Sequence, residues 1–223
     1  MSPVIVITGA VGALGAALSR HLVARGYRVA GVGLRRHEER LRVLEQELGA
    51  AFAGILLEED STAGWDVALG VVQSRLGSVS GAALVAGGWR GGRPFHEDRD
   101  EGTWRSMLDE NLESAQRAGS VVVVGSRNVE RPWSGAGAVP YTVAKSAVVA
   151  LARAIAAEVL DAGVRVNAVL PSTIDTAQNR GAMPDADASR WVEPESIAAV
   201  IEFLLSDAAR DVSGAVVPVY GRA

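Results

Sequence analysis

Val4-Ile5-Val6-Ile7-Thr8-Gly9-Ala10-Val11-Gly12-Ala13-Leu14-Gly15 is the stretch that decides how this chain folds. Four β-branched residues in succession suit a strand buried on both faces, as the strands of a parallel sheet are. Gly9 permits a tight turn, and the small residues Gly12 and Ala13 let backbone come close to a ligand. Gly15 lets the following helix lie against the strand, and an Ala/Leu-rich helical pattern occupies residues 13–25. The N-terminus of such a helix offers free N–H donors and a positive dipole end, which together suit a pyrophosphate. A glycine triplet also fits an ordinary structural turn. Its position after the first strand of a strand–helix–strand unit is what favours a nucleotide.

The same alternation continues outward from this turn. Short β-branched runs at residues 28–32, 53–57, 82–85, 121–125, 165–169 and 216–219 read as further strands. Helical patterns fall at residues 38–48, 63–76, 103–117, 143–162 and 194–205. Gly26, Gly49, Gly77 and Gly163 each follow a helical run, where a positive-φ residue ends a helix at least strain. Strands that alternate with helices and lack polar/apolar alternation predict an α/β fold: a doubly wound, seven-stranded parallel sheet with helices on both faces. The 223 residues suit one domain, 1–223, without internal repeats or low-complexity linkers. Long loops at residues 87–99 and 172–190 follow strands, where an open sheet of this kind places its ligand.

Composition narrows the function. Apolar residues make up 48% of the chain and aromatics only 5%, so the core is Ala, Val, Leu and Ile. A formal charge of −4 gives no electrostatic case for nucleic acid or an anionic membrane. With no cysteine, disulfides, thiolate metal sites and thiol nucleophiles are excluded. His21, His37 and His96 are scattered, so no metal is expected. The chain enters an apolar strand within three residues, without a basic leader, and no apolar run approaches the ~20 residues of a spanning helix. A cytoplasmic protein acting on a small molecule is expected.

Two further places carry chemistry. At the end of the second strand, Val32-Gly33-Leu34-Arg35-Arg36 has two guanidiniums where an acidic residue would bind a ribose 2′-hydroxyl. Arg matches a phosphate through its planar fork, so Arg35 and Arg36 point to NADP(H) over NAD. The competing reading is a solvated basic start to the next helix. Farther on, Tyr141-x-x-x-Lys145 lies on a helical stretch, where residues four apart share a face. An ammonium beside a phenol favours phenolate and is expected to lower the Tyr141 pKa toward the range useful for proton transfer.

Together these residues resemble the short-chain dehydrogenase/reductase family over nearly the whole chain, as a Rossmann-type domain. The resemblance rests on Thr8-Gly9-x-x-x-Ala13-x-Gly15, Asn111, Ser126, Tyr141-x-x-x-Lys145 and Pro171-Ser172-x-x-x-Thr176. It implies Tyr141 as acid/base, Ser126 orienting a substrate carbonyl, Lys145 holding the nicotinamide ribose, and Asn111 supporting a proton-relay water. It implies that Thr8, Gly9, Gly12, Ala13, Leu14, Gly15, Ala86, Gly87, Pro171, Ser172, Ile174 and Thr176 line the cofactor, and that the protein is a homodimer or homotetramer.

Departures from the family pattern are also visible. Ala13 and Ser172 stand where glycines are usual, and Leu84-Val85-Ala86-Gly87 replaces an Asn-Asn-Ala-Gly motif. Ser134 is a rival to Ser126, but Ser126 ends an expected strand. Residues 112–120 separate Asn111 from the fifth strand; as helix they reach only about 14 Å, where the family runs a longer helix. Either that helix is truncated or a segment is missing, and both alternatives affect the dimer interface and the placement of Asn111.

A narrower resemblance is to the dihydropteridine reductase branch, through Val85-Ala86-Gly87-Gly88-Trp89-Arg90-Gly91-Gly92. It is also seen in Leu170-Pro171-x-Thr173-x-Asp175-Thr176-x-x-Asn179-Arg180-x-x-Met183-Pro184-Asp185-Ala186-Asp187. Ser126 and Arg35/Arg36 depart from that branch, so the likeness is one of loop architecture more than of substrate. Trp89, Trp133 and Trp191 sit on loops where they either stack on a flat substrate or cover the sheet edge. The expected function is hydride transfer between NADP(H) and a carbonyl/alcohol or quinonoid imine. The alternatives are a non-redox cyclase, isomerase or dehydratase on the same fold, and a silent nucleotide-binding scaffold.

Overall fold

Seven strands, all parallel, lie in the order β3-β2-β1-β4-β5-β6-β7. The computed structural model describes residues 2–58, 62–87 and 119–222. The strands are β1 Val4–Thr8, β2 Arg28–Leu34, β3 Phe52–Leu57, β4 Val79–Leu84, β5 Ser120–Val124, β6 Arg165–Pro171 and β7 Val216–Val219. The helices described are α1 Ala13–Ala24, α2 Glu38–Leu48, α3 Thr62–Arg75, α4 Val139–Glu158, α5 Ala177–Ala182 and α6 Pro194–Leu205. The chain crosses from β3 back past β1 to β4, and this reversal opens a crevice at the carboxyl ends of β1 and β4.

Strands β1, β5 and β6 are buried on both faces because each face has its own helical layer. In β1, Ile5 and Ile7 join Leu14, Leu18 and Leu22 of α1 and Ile197, Ile201 and Leu204 of α6. Val4 and Val6 point the other way, to Ala68 and Val72 of α3. Farther along that second face Val121 and Val123 of β5 meet Val148, Val149, Ala152 and Ala156 of α4. Alternate residues therefore feed opposite cores, and no polar face is left along β1. Helix α4 is long and apolar enough by composition to cross a membrane, yet this stripe packs on the sheet.

Helix α4 begins at Val139, with Pro140 in its first turn, four residues before the expected start. Proline suits that first turn because its missing N–H would have no helical partner there. Helix α5 and the short 3-10 turns Arg127–Val129, Pro132–Gly135 and Ala188–Arg190 lie where only loop was expected. Gly26, Gly49, Gly77 and Gly163 have φ of 84°, 63°, 101° and 70°, as a residue closing a helix requires. The helix expected over residues 103–117, Asn111, Trp89 and Gly88 to Gly92 lie outside the described residues.

Candidate active site

The turn after β1 is shaped by what it has no room for. Gly9 has φ 67°, and a Cβ there would stand 2.8 Å from the Ala86 Cα. A Cβ on Gly15 would come within 2.2 Å of the Gly9 carbonyl oxygen. The Gly12 N–H donates to that same oxygen at 2.9 Å, closing the turn. Gly12 caps α1 without a side-chain bond, and Gly12 and Ala13 are exposed. Leu14 and Gly15 are buried behind them. Buried Thr8 accepts the Ala86 N–H on its Oγ1 at 3.1 Å, tying the ends of β1 and β4 together. Thr8, Gly9, Gly12, Ala13, Leu14, Gly15 and Ala86 are thus gathered around one helix N-terminus, with Gly87 next in the chain. A backbone cradle without room for Cβ atoms, open at the positive end of a helix, fits the pyrophosphate of a dinucleotide.

A polar cluster stands across the crevice, between β5 and α4. Ser126 follows the end of β5 by two residues and is buried; its Oγ accepts the Asn128 N–H at 3.3 Å. Ser126 lies near enough to the Tyr141 hydroxyl to favour its phenolate. Lys145, one turn along α4, is buried at 6% exposure and donates its Nζ to the Val124 carbonyl at 2.9 Å. That Nζ lies 6.0 Å from the centre of the Tyr141 ring. An ammonium carries three donors, and no second acceptor is present among the described residues, so the crevice suits ligand hydroxyls.

Protonation here differs from the expectation for Tyr141. Burial raises its pKa above the ordinary phenol value, outweighing the opposing effect of Ser126. Lys145 does not reverse this, because its ammonium is turned to the Val124 carbonyl and is itself desolvated, which lowers its pKa to about 8. Lys145 is also the only lysine among the chain's 22 basic residues. That count was legible in the sequence and marks the residue as strongly as its spacing does.

Ser134 lies elsewhere in the geometry: exposed, it donates its one hydroxyl hydrogen to the Arg131 carbonyl at 2.7 Å, with Asn128 Oδ1 3.3 Å from the same Oγ. Asn128 in turn donates to Thr142 Oγ1 at 3.2 Å, so this serine braces the loop over α4.

At the end of β6, Pro171 is buried, and Ser172 donates its Oγ to the Tyr220 carbonyl at 2.7 Å. Thr176 caps α5, its Oγ1 accepting the Asn179 N–H at 3.1 Å, and Asn179 donates to the Ile174 carbonyl at 2.8 Å. Arg180 grips Asp175 through two bonds of 2.5 and 2.6 Å. The motif residues Asp175, Thr176, Asn179 and Arg180 therefore hold their own loop in shape. Trp133 is 77% exposed and Trp191 half-buried.

At the end of β2, Arg35 pairs with Glu58 beyond β3 at 2.7 Å, both side chains largely exposed. Arg36 instead turns its Nε toward the His37 ring at 3.2 Å.

A seven-stranded parallel sheet with a glycine turn at the chain reversal defines a Rossmann-type α/β fold. The family model described as enoyl-(acyl carrier protein) reductase matches residues 9–221, and the chain belongs to the short-chain dehydrogenase/reductase family of oxidoreductases. It is similar to the 3-oxoacyl-(acyl-carrier-protein) reductase of Salmonella typhimurium, 28% identical over 236 residues that cover 96% of this chain and 94% of that one. It is equally similar to the acetoacetyl-CoA reductase of Paracoccus denitrificans, 28% identical over 239 residues, covering 96% and 95%. A solved short-chain type dehydrogenase/reductase from Mycobacterium ulcerans superposes with a TM-score of 0.85 at 27% identity, over 99% of this chain and 90% of that one. Both sequence matches run longer than the chain's own 223 residues, so these relatives carry extra residues inside the matched span.

Proposed function

We propose that this protein is an NADP(H)-dependent reductase that moves a hydride between nicotinamide and a carbonyl/alcohol or quinonoid imine substrate. The observation that carries this reading is the cluster of Ser126, Tyr141 and Lys145 beside the end of β5, one strand beyond the β1/β4 reversal that holds the glycine turn. A nicotinamide bound in the crevice at that reversal supplies the hydride. Tyr141, kept protonated by burial, gives its hydroxyl proton to the substrate oxygen, which suits reduction at neutral pH. Ser126 donates a hydrogen bond to the same oxygen and orients the carbonyl. Lys145 holds ribose hydroxyls and places a positive charge beside the phenolate that Tyr141 becomes. Asn111 is assigned the support of a proton-relay water.

Thr8, Gly9, Gly12, Ala13, Leu14, Gly15, Ala86 and Gly87 are assigned to the phosphates and adenosine side of the cofactor, with Arg36 and Arg35 at its 2′-phosphate. Pro171, Ser172, Ile174 and Thr176 are assigned to its nicotinamide end. Tyr141 and Lys145 also touch it. The names of the two relatives favour β-ketoacyl thioesters within the carbonyl class, and the exposed Val143 on α4 is consistent with a homodimer or homotetramer. The test is a panel of ketones, β-ketoacyl thioesters, quinones and quinonoid pterins, followed by loss of NADPH absorbance. Turnover of a carbonyl by wild type and its loss in Tyr141→Phe support the reading. Conversion of a substrate without any cofactor oxidation overturns it.

A further inference from the structure

We propose that His37 is a ligand of the cofactor's 2′-phosphate, shared with Arg36, and that it takes up a proton when that phosphate binds. The inference rests on the NADP(H) preference proposed above and adds a residue and a proton to it.

His37 closes the 3-10 turn Arg35–His37 that follows β2. The Leu34 N–H donates to its Nδ1 at 3.3 Å, and the Arg36 Nε–H points at its Nε2 at 3.2 Å. A neutral imidazole has one N–H and one lone-pair nitrogen, so it cannot accept at both. The Leu34 N–H is fixed at the end of β2 whereas the exposed Arg36 side chain can turn, which favours Nδ1 as the acceptor and the proton on Nε2. Arg36 Nε–H and His37 Nε2–H then face each other, donor against donor. What this turn lacks is an acceptor, and an anion seated between the two side chains provides one.

The charges around the ring point the same way. Burial, Arg36 and then Arg40 hold the His37 pKa below its ordinary value. The neighbouring carboxylates are engaged or turned outward: Glu58 pairs with Arg35, Glu39 pairs with Arg42, and Glu38 is exposed. A phosphate dianion reverses the sign of the field at the ring and favours imidazolium. The proton comes from solvent and adds at Nδ1, at the cost of the Leu34 N–H bond. The place is right for this ligand, because β2 lies beside β1, whose glycine turn cradles the pyrophosphate.

Calorimetry of NADPH and NADH binding at pH 7.5, in buffers of different ionisation enthalpy, counts the protons exchanged. A 2′-phosphate is already mostly dianionic there, with its second pKa near ~6, so uptake cannot come from the phosphate itself. Wild type is expected to take up a fraction of a proton more with NADPH than with NADH, any change at Lys145, with its pKa about 8, being common to both cofactors. His37→Gln should abolish this excess and weaken NADPH about tenfold at pH 6.5, leaving NADH within about twofold. An NMR titration of the histidine rings in the wild-type protein provides the same answer without a variant. The His37 ring should titrate below its ordinary value and rise when 2′,5′-ADP is added. NADPH binding tighter than NADH, without excess proton uptake and unaffected by His37→Gln, overturns this inference alone. NADPH binding no tighter than NADH overturns the cofactor preference, and this inference with it.

Discussion

The turn between β1 and α1 and the cluster between β5 and α4 face one crevice by opposite means. The turn presents backbone and excludes side chains: Gly9 and Gly15 have no room for a Cβ, and Gly12 leaves the helix end uncapped. The cluster presents side chains and buries them, at the desolvation shown by the shifted pKa values of Tyr141 and Lys145. Adding atoms should therefore ruin the first region, and removing polar atoms should ruin the second. Damage in the turn falls on folding and cofactor binding together. Damage in the cluster falls on chemistry while the fold survives.

The sharpest way to break this contrast is Gly15→Val. Its Cβ would lie 2.2 Å from a carbonyl oxygen and 2.8 Å from the Ala10 Cα, both backbone atoms that cannot rotate away. The expected loss exceeds about 4 kcal/mol, enough to unfold many domains. Urea unfolding followed by circular dichroism measures it. A variant that stays folded and binds cofactor normally would show that the turn adapts and that the contrast is false.

Tyr141→Phe should do the reverse. Phe keeps the packing, and Ser126 retains its bond from the Asn128 N–H. Turnover should fall about 10²–10⁴-fold, the range for losing a positioned acid. The unfolding midpoint and the cofactor Kd should remain near wild type. Near-normal turnover would remove Tyr141 from the proton-transfer role.

Lys145→Met sharpens the comparison through pH. With its pKa lowered from 10.5 to about 8, folded wild type releases a proton from Lys145 that the unfolded chain still holds. The unfolded state binds more protons between about pH 8 and pH 10.5, so Lys145 makes unfolding free energy rise with pH across that window. Lys145→Met should remove this rise, and denaturant titrations at several pH values would read it. The same variant should slow carbonyl reduction most below about pH 8, where Lys145 still carries the charge that stabilises the phenolate left on Tyr141. Stability curves of equal slope would mean that Lys145 is solvated in the folded protein.

The two regions also differed in how far sequence reveals them. The glycine turn is a local device, so its strand, turn and helix were all readable from residues 4–15. Helices α2 and α6 likewise occupy the expected residues, because an amphipathic run closed by glycine or opened by Pro194 is a local signal. Helix α4 starts at Val139, earlier than expected, because Pro140 is at home in a first turn. Helix α5 escaped notice because it has six residues and depends on Thr176 and the Asp175–Arg180 pair to hold its end. The rise in the Tyr141 pKa was not legible, since burial comes from packing that no four-residue spacing encodes. The capture of Arg35 by Glu58 needs the strand order β3-β2, which only the fold supplies.

That capture separates two arginines which look equivalent in sequence, and it provides the mildest test. Arg36 turns toward His37, whereas Arg35 is spent on an exposed pair with Glu58. Arg36→Ala should weaken NADPH about tenfold, as the loss of one charge-assisted bond does, and leave NADH unchanged. Arg35→Ala should change NADPH affinity by about threefold or less, because exposed pairs of this kind contribute little and the guanidinium is already engaged. Glu58→Gln frees Arg35 to swing toward the phosphate, so it should tighten NADPH by a similarly small factor and leave NADH unchanged. Calorimetric Kd values for both cofactors against the three variants decide it. If Arg35→Ala weakens NADPH as much as Arg36→Ala, the Glu58 pair opens on binding, and both arginines grip the phosphate.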